Sequence, residues 1–176
     1  NRLGLVAANT LSVSGVDWAN QGGALEAQQI SITLSGDLLN RAETGAIAQS
    51  ALINATAGEG ASSTQSLNLV IGGVFDNTGS ATQIAGFSTN ISTGSFANFG
   101  GRLQHGGRGP LALTVDGFLN NEQGEILSAS NLEIAAGSAS NALGQWVANT
   151  LLRVQIDGAL DNLRGLLSAD GAFDIQ

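Results

Sequence analysis

The sequence has no cysteine. That removes disulfides, thiolate metal sites and cysteine nucleophiles together, and it fits a chain that crosses an oxidising compartment without needing staples. It has no lysine; all six basic residues are arginine, set against 14 acidic ones, for a formal net charge of −8. Without a basic stripe, nucleic-acid binding and docking on an anionic membrane surface are not expected. Only 11% of residues are charged, so the surface must be polar without being ionic. No apolar run reaches the length of a membrane-spanning helix, and no membrane insertion is expected. No signal peptide is visible at Asn1. The chain starts and stops inside repeating text, which suggests a piece of something longer.

What the sequence has in abundance is glycine, 25 residues against a single proline, and the glycines are periodic. Gly117-Phe118-Leu119-Asn120-Asn121 leads to Gly124-Glu125-Ile126, and Gly158-Ala159-Leu160-Asp161-Asn162 leads to Gly165-Leu166-Leu167. Gly137 to Asn141 leads to Gly144, and Gly94 to Asn98 leads to Gly101. Gly73 to Asn77 leads to Gly79, as though one residue were deleted, and Gly36 to Asn40 leads to Gly45, as though two were inserted. The first copy keeps Trp18, Asn20 and Gly23. The anchors are Asn20, Asn40, Asn77, Asn98, Asn121, Asn141 and Asn162. Counting the long interval between Asn40 and Asn77 as two coils, one of them degenerate over Ala55 to Thr64, gives about twenty residues per coil and eight to nine coils.

Between the anchors, apolar residues alternate: Ile30, Ile32 and Leu34; Leu67, Leu69 and Ile71; Leu111, Leu113 and Val115; Leu132 and Ile134; Leu152, Val154 and Ile156; Phe173 and Ile175. Period two with branched residues predicts strands with one face buried, and the boundary glycines would break helices of this length. A short coil cannot bury its apolar face alone, but stacked coils can. The expected fold is all-β, a right-handed single-stranded parallel β-helix forming one domain over residues 1–176. Two columns should look inward. One holds Trp18, Leu38, Phe75, Phe96, Leu119, Ala139 and Leu160; the other holds Leu25, Ile47, Leu103, Ile126, Trp146 and Leu167. The asparagines should sit at an inward turn, where an amide supplies both donor and acceptor and can bond its neighbour above and below.

Segments such as Gly158 to Asp170 (GALDNLRGLLSAD) and Gly117 to Asn131 (GFLNNEQGEILSASN) resemble the repeats of filamentous haemagglutinin and of contact-dependent growth inhibition exoproteins. The resemblance runs from Gly4 to Gln176. It implies a two-partner secretion exoprotein of a Gram-negative bacterium, exported by a cognate outer-membrane transporter and displayed as a filament at the cell surface. The family's N-terminal secretion domain carries an N-P-N-G-like motif that this chain lacks, so the resemblance is to the central repeat region and carries over no catalytic residue.

Candidate chemistry is sparse. His105, the only histidine, lies in the longer coil around Gln104 to Pro110, near Arg102 and Arg108. These three could form an outward cationic contact for a host or neighbouring-cell receptor; the plainer expectation is a solvated bulge. A lone histidine makes a poor metal site, and no metal or cofactor is expected. A polysaccharide-cleaving β-helix enzyme would need clustered carboxylates. Asp116 and Asp157 occupy equivalent places but lie two coils apart, ~10 Å at the usual strand spacing, with Ala136 between. That is too wide for a retaining pair. The expectation is a rod rather than an enzyme. An adhesive module using the outward loops at Ala55 to Ser66 and Gln104 to Pro110 is the alternative.

Overall fold

The structure is a computed structural model, and it describes residues 1–44, 49–56, 65–84 and 87–176. Every described strand pairing between coils is parallel, and the strands form one continuous sheet wound into a solenoid. No described residue is helical.

Each coil has three stretches. The first lines up the long strands Leu5–Gly15, Ala24–Leu34, Gln65–Asp76, Ser88–Ala97, Leu111–Asn120, Leu132–Ser140 and Leu151–Ile156, then Ala172–Ile175. Their alternation puts Ile32, Leu69, Ile91, Leu113, Ile134 and Val154 inside in successive coils. These strands bend near a glycine, where the pairing register shifts, as between Val115 and Phe118. The second stretch stacks Trp18, Leu38, Phe75, Phe96, Leu119, Ala139 and Leu160 into the first expected column. Within it the Phe75 and Phe96 rings stack with centroids 5.0 Å apart. The third stretch stacks Leu25, Ile53, Thr82, Leu103, Ile126, Trp146 and Leu167.

Two expectations are corrected here. Ile53, not Ile47, fills the second column, paired with Leu25; Ile47 itself lies outside the described residues. The interval from Asn40 to Asn77 is one coil, not two. Leu38 pairs directly with Phe75, and Ile30 with Leu67. The extra length is two insertions at consecutive corners. Leu52 is the register partner of Ala24, yet it follows Asn40 by twelve residues where Ala24 follows Asn20 by four. Leu67 partners Ile30, yet it follows Leu52 by fifteen residues where Ile30 follows Ala24 by six. The second insertion contains residues 57–64, outside those described, as is Gly45. The chain thus holds about seven turns of roughly 21 residues, and at ~4.8 Å per step the rod is about 34 Å long.

The first insertion folds back along the rod. Glu43 and Gln49 form an antiparallel bridge, and Arg2, two coils earlier, makes a two-pronged contact with Glu43 at 2.8 and 2.9 Å. The Arg2 guanidinium holds the Glu43 carboxyl below its ordinary range, and Arg2 is raised in return. The pair lies at the surface, where such contacts contribute little.

Candidate functional site

The feature that runs through the whole molecule is the asparagine turn. Asn20, Asn40, Asn77, Asn98, Asn121 and Asn141 are fully buried, and Asn162 is partly buried. Each Nδ2 donates to the Oδ1 of the next: Asn20 to Asn40 at 2.8 Å, Asn40 to Asn77 at 2.7 Å, and Asn77 to Asn98 at 2.8 Å. The run continues from Asn98 to Asn121 and from Asn121 to Asn141, both at 2.7 Å, and from Asn141 to Asn162 at 2.8 Å. All the amides point the same way along the rod, so their dipoles align and each bond polarises the next. The second Nδ2 proton is used as well. Asn121 donates to Gly124 O at 3.1 Å within its own turn and approaches Gln145 O of the next coil at 3.3 Å. The same own-turn contact recurs from Asn20 to Gly23 O and from Asn98 to Gly101 O, so the row gives inward turn carbonyls a partner.

Asn1 belongs to the same row and was absent from the sequence expectation. Its Nδ2 donates to Asn20 Oδ1 at 2.8 Å. The signal was available: Asn1-x-x-Gly4 has the spacing of Asn98-x-x-Gly101, Asn121-x-x-Gly124, Asn141-x-x-Gly144 and Asn162-x-x-Gly165. The turn at Asn77 has no deletion either. Gly79 sits at the third turn position and Ser80 at the fourth, where Ser80 N closes onto Asn77 O at 3.1 Å.

The last two positions of the turn have opposite requirements. The third has positive φ in coil after coil: Gly79, Gly100, Gln123, Leu143 and Arg164 lie between 56° and 60°. Where glycine fills the fourth, as in the turns at Asn20, Asn98, Asn121, Asn141 and Asn162, there is no room for a side chain. A Cβ on Gly144 would run into the Asn121 carbonyl and come within 2.8 Å of the Asn121 Nδ2. Neighbouring substitutions should therefore act in opposite directions. Gly144→Ala is expected to lower stability by about 1–3 kcal/mol through overpacking. Leu143→Gly removes a side chain that is 56% exposed and relieves a left-handed backbone, so it should be neutral or stabilise by up to about 1 kcal/mol. Urea unfolding midpoints check both, and a stabilising Gly144→Ala would refute the stacking geometry.

A second, shorter row was not foreseen. Asp17 Oδ1 accepts from Asp37 N at 2.7 Å, and Asp37 Oδ1 accepts from Val74 N at 2.8 Å, bridging three coils at the bend. Nothing in the repeat marks these aspartates, because the other coils place different residues there.

The expected cationic group does not assemble. Arg102 and Arg108 are exposed, but His105 is 1% exposed and faces the interior. It ends the strand Arg102–His105, pairs in register with Ile84 and Ser128, and its Nδ1 lies 3.4 Å from Ser128 Oγ. Both readings of His105, outward contact and solvated bulge, are overturned by the alternation that puts Leu103 inside: two residues on, His105 faces the same way. Arg102 instead faces Glu125 of the next coil at 3.4 Å. The Gln104 to Pro110 segment is packed rather than bulging. Gly109 N donates to Phe87 O at 2.6 Å, and Ser130 Oγ donates to Arg108 O at 2.9 Å. The other candidate loop, Ala55 to Ser66, lies mostly outside the described residues.

Asp116 and Asp157 flank an open depression whose lining includes Thr114, Ala136, Gly137 and Gln155. Ala136 pairs with Val115 on one side and Ile156 on the other, so the intervening coil lies between the two aspartates and contributes no acid at that place. Among the described residues no group of three His, Cys, Asp or Glu side chains is placed to hold a metal ion. Fold and turn geometry together define the class: a parallel β-solenoid with a buried asparagine ladder. No protein-family model matches the chain, and neither a curated protein nor a solved structure matches it.

Proposed function

We propose that the chain is a rod segment of a secreted filamentous exoprotein on the surface of a Gram-negative cell, exported by a cognate outer-membrane two-partner secretion transporter. In this reading it holds an adhesive or toxin-bearing tip away from the cell that makes it. The observation that carries the proposal is the continuity of the asparagine ladder and the apolar columns from the first coil to the last. Each interior coil uses both of its stacking faces to hold its neighbours in line, which is the mechanical requirement of a rod. The repeat resemblance supplies the exoprotein context.

An adhesive module that recognises a glycan or protein receptor is the second reading. With His105 inside, it rests on Arg108, which is exposed and makes no ion pair with a described residue, and on the exposed Arg102, which faces Glu125. The two readings separate on one experiment. Excising residues 121–140 from the full exoprotein removes one coil and brings Asn141 onto Asn98 with every column continuous. A rod should keep its surface display and its adhesion, shortened by ~4.8 Å, and Arg108→Glu should change neither. Adhesion lost in either variant, with secretion and strand content retained, would overturn the rod reading for this segment.

A further inference from the structure

We propose that the coil between Asn77 and Asn98 is a built-in yield point, the place inside the rod where neighbouring coils part first. The inference deepens the rod reading and rests on it for its use: a filament under tension would open here and keep folded segments on either side. Among the described residues, three inward columns of the solenoid carry threonine in this coil alone. Thr82 lies in register between Ile53 and Leu103, Thr89 between Leu67 and Leu111, and Thr93 between Ile71 and Val115. All of these side chains are buried.

The alternation that turns these threonines inward is the one that turns leucine, isoleucine or valine inward in the neighbouring coils, so the difference is one of chemistry and not of orientation. A buried leucine or isoleucine stabilises the stack by leaving water, whereas a hydroxyl at the same place has to be stripped of water first. That water is replaced in part. Thr82 Oγ1 donates to Asn77 Oδ1 at 3.1 Å. Thr93 Oγ1 lies 3.1 Å from Gly73 O and 2.9 Å from Ser95 O, and it accepts from Phe75 N at 3.2 Å. Thr89 Oγ1 and, in the same coil, Ser80 Oγ are buried with no hydrogen-bond partner among the described residues. When the coil opens, every one of these hydroxyls regains water, so opening costs less here than between coils joined by leucine. Ile91 and Phe96 keep apolar side chains inside, and Phe96 stacks on Phe75, which holds the coil in place at rest. In a stack where each coil touches only its neighbours, the weakest interfaces decide where it opens. The adjoining coil, from Asn40 to Asn77, carries both corner insertions, and longer connections raise the entropic cost of closing it.

The test is native-state hydrogen exchange of the 176-residue chain at neutral pH, read by mass spectrometry, on the parent and on Thr89→Val, which exchanges the hydroxyl for a methyl of nearly the same shape. Amides of the strand Ser88–Ala97 should exchange faster than those of Leu132–Ser140, two coils on, by about tenfold or more. Thr89→Val should slow exchange in Ser88–Ala97 by about three- to tenfold and leave Leu132–Ser140 as it was. Equal protection of the two strands in the parent overturns the proposal, and so does a Thr89→Val effect that is absent or the same in both strands. If Thr89→Val does not fold, the comparison of the two strands in the parent decides alone. Failure here would leave the rod reading to its own test, the adhesion of the shortened exoprotein.

Discussion

Asn121→Ala is expected to destabilise the chain by several kcal/mol, while Asn131→Ala, ten residues on, stays within about 0.5 kcal/mol of the parent. Asn121 is fully buried and connects two neighbours. Its loss leaves Asn98 Nδ2 without its acceptor and Asn141 Oδ1 without its donor, and weakens the hold on Gln145 O. A buried polar group left without a partner costs roughly 1–3 kcal/mol; Asn141 Oδ1 loses its donor, and Asn98 Nδ2 falls back on its longer contacts to Gly101 O and Glu125 O at 3.3 Å. Asn131 is only partly buried, and its carbonyl contacts, from Ser128 Oγ and Leu111 N, survive the substitution. Urea midpoints of the two variants measure the difference. Equal midpoints would mean that the amide row is solvated and carries no load. Asn121→Asp sharpens the result: it keeps the acceptor for Asn98 but sets a carboxylate oxygen against Asn141 Oδ1, so it should cost at least as much as alanine near neutral pH.

Trp146→Ala should be comparably severe, at about 3–5 kcal/mol. The indole has no exposure and stacks between Ile126 and Leu167 in the third-stretch column. A stacked coil cannot collapse into the vacancy, because strand spacing along the rod is fixed by the backbone ladder on every side. Trp146→Phe distinguishes volume from chemistry. The indole Nε1 is buried with no hydrogen-bond partner among the described residues, so phenylalanine removes an unpaired donor along with some volume, and the two effects partly offset. The phenylalanine variant should lose less than about 1.5 kcal/mol. A loss as large as that of alanine would show that the indole makes a polar contact.

Much of the architecture was legible because its causes are local. Strict alternation around Leu111, Leu113 and Val115 can only be satisfied by a strand with one wet face, and the glycine that closes the turns at Asn20, Asn98, Asn121, Asn141 and Asn162 marks where a Cβ would strike the preceding coil. The periodic text therefore announced both the class of fold and the row of amides. His105 follows the same alternation, two residues after Leu103, but its titratable ring beside two arginines and a run of glycines has the composition of a solvated loop. The long interval misled for a different reason. An insertion at a corner adds residues without adding a coil, and spacing alone does not distinguish the two.

By itself, then, the sequence determined the strand period, the turn chemistry and the need for each coil to be covered by others, since these follow from side-chain alternation and backbone sterics within some twenty residues. The tertiary structure decided what depends on which coil lies against which: that Asn40 bonds directly to Asn77 across the double insertion, that Ile53 fills the column, that Asn1 extends the ladder, and that Asp17 and Asp37 cap amides of the coils that follow them. Such pairings are set by the register between stacked backbones, a long-range hydrogen-bonding constraint that a residue's own neighbours in the chain do not reveal.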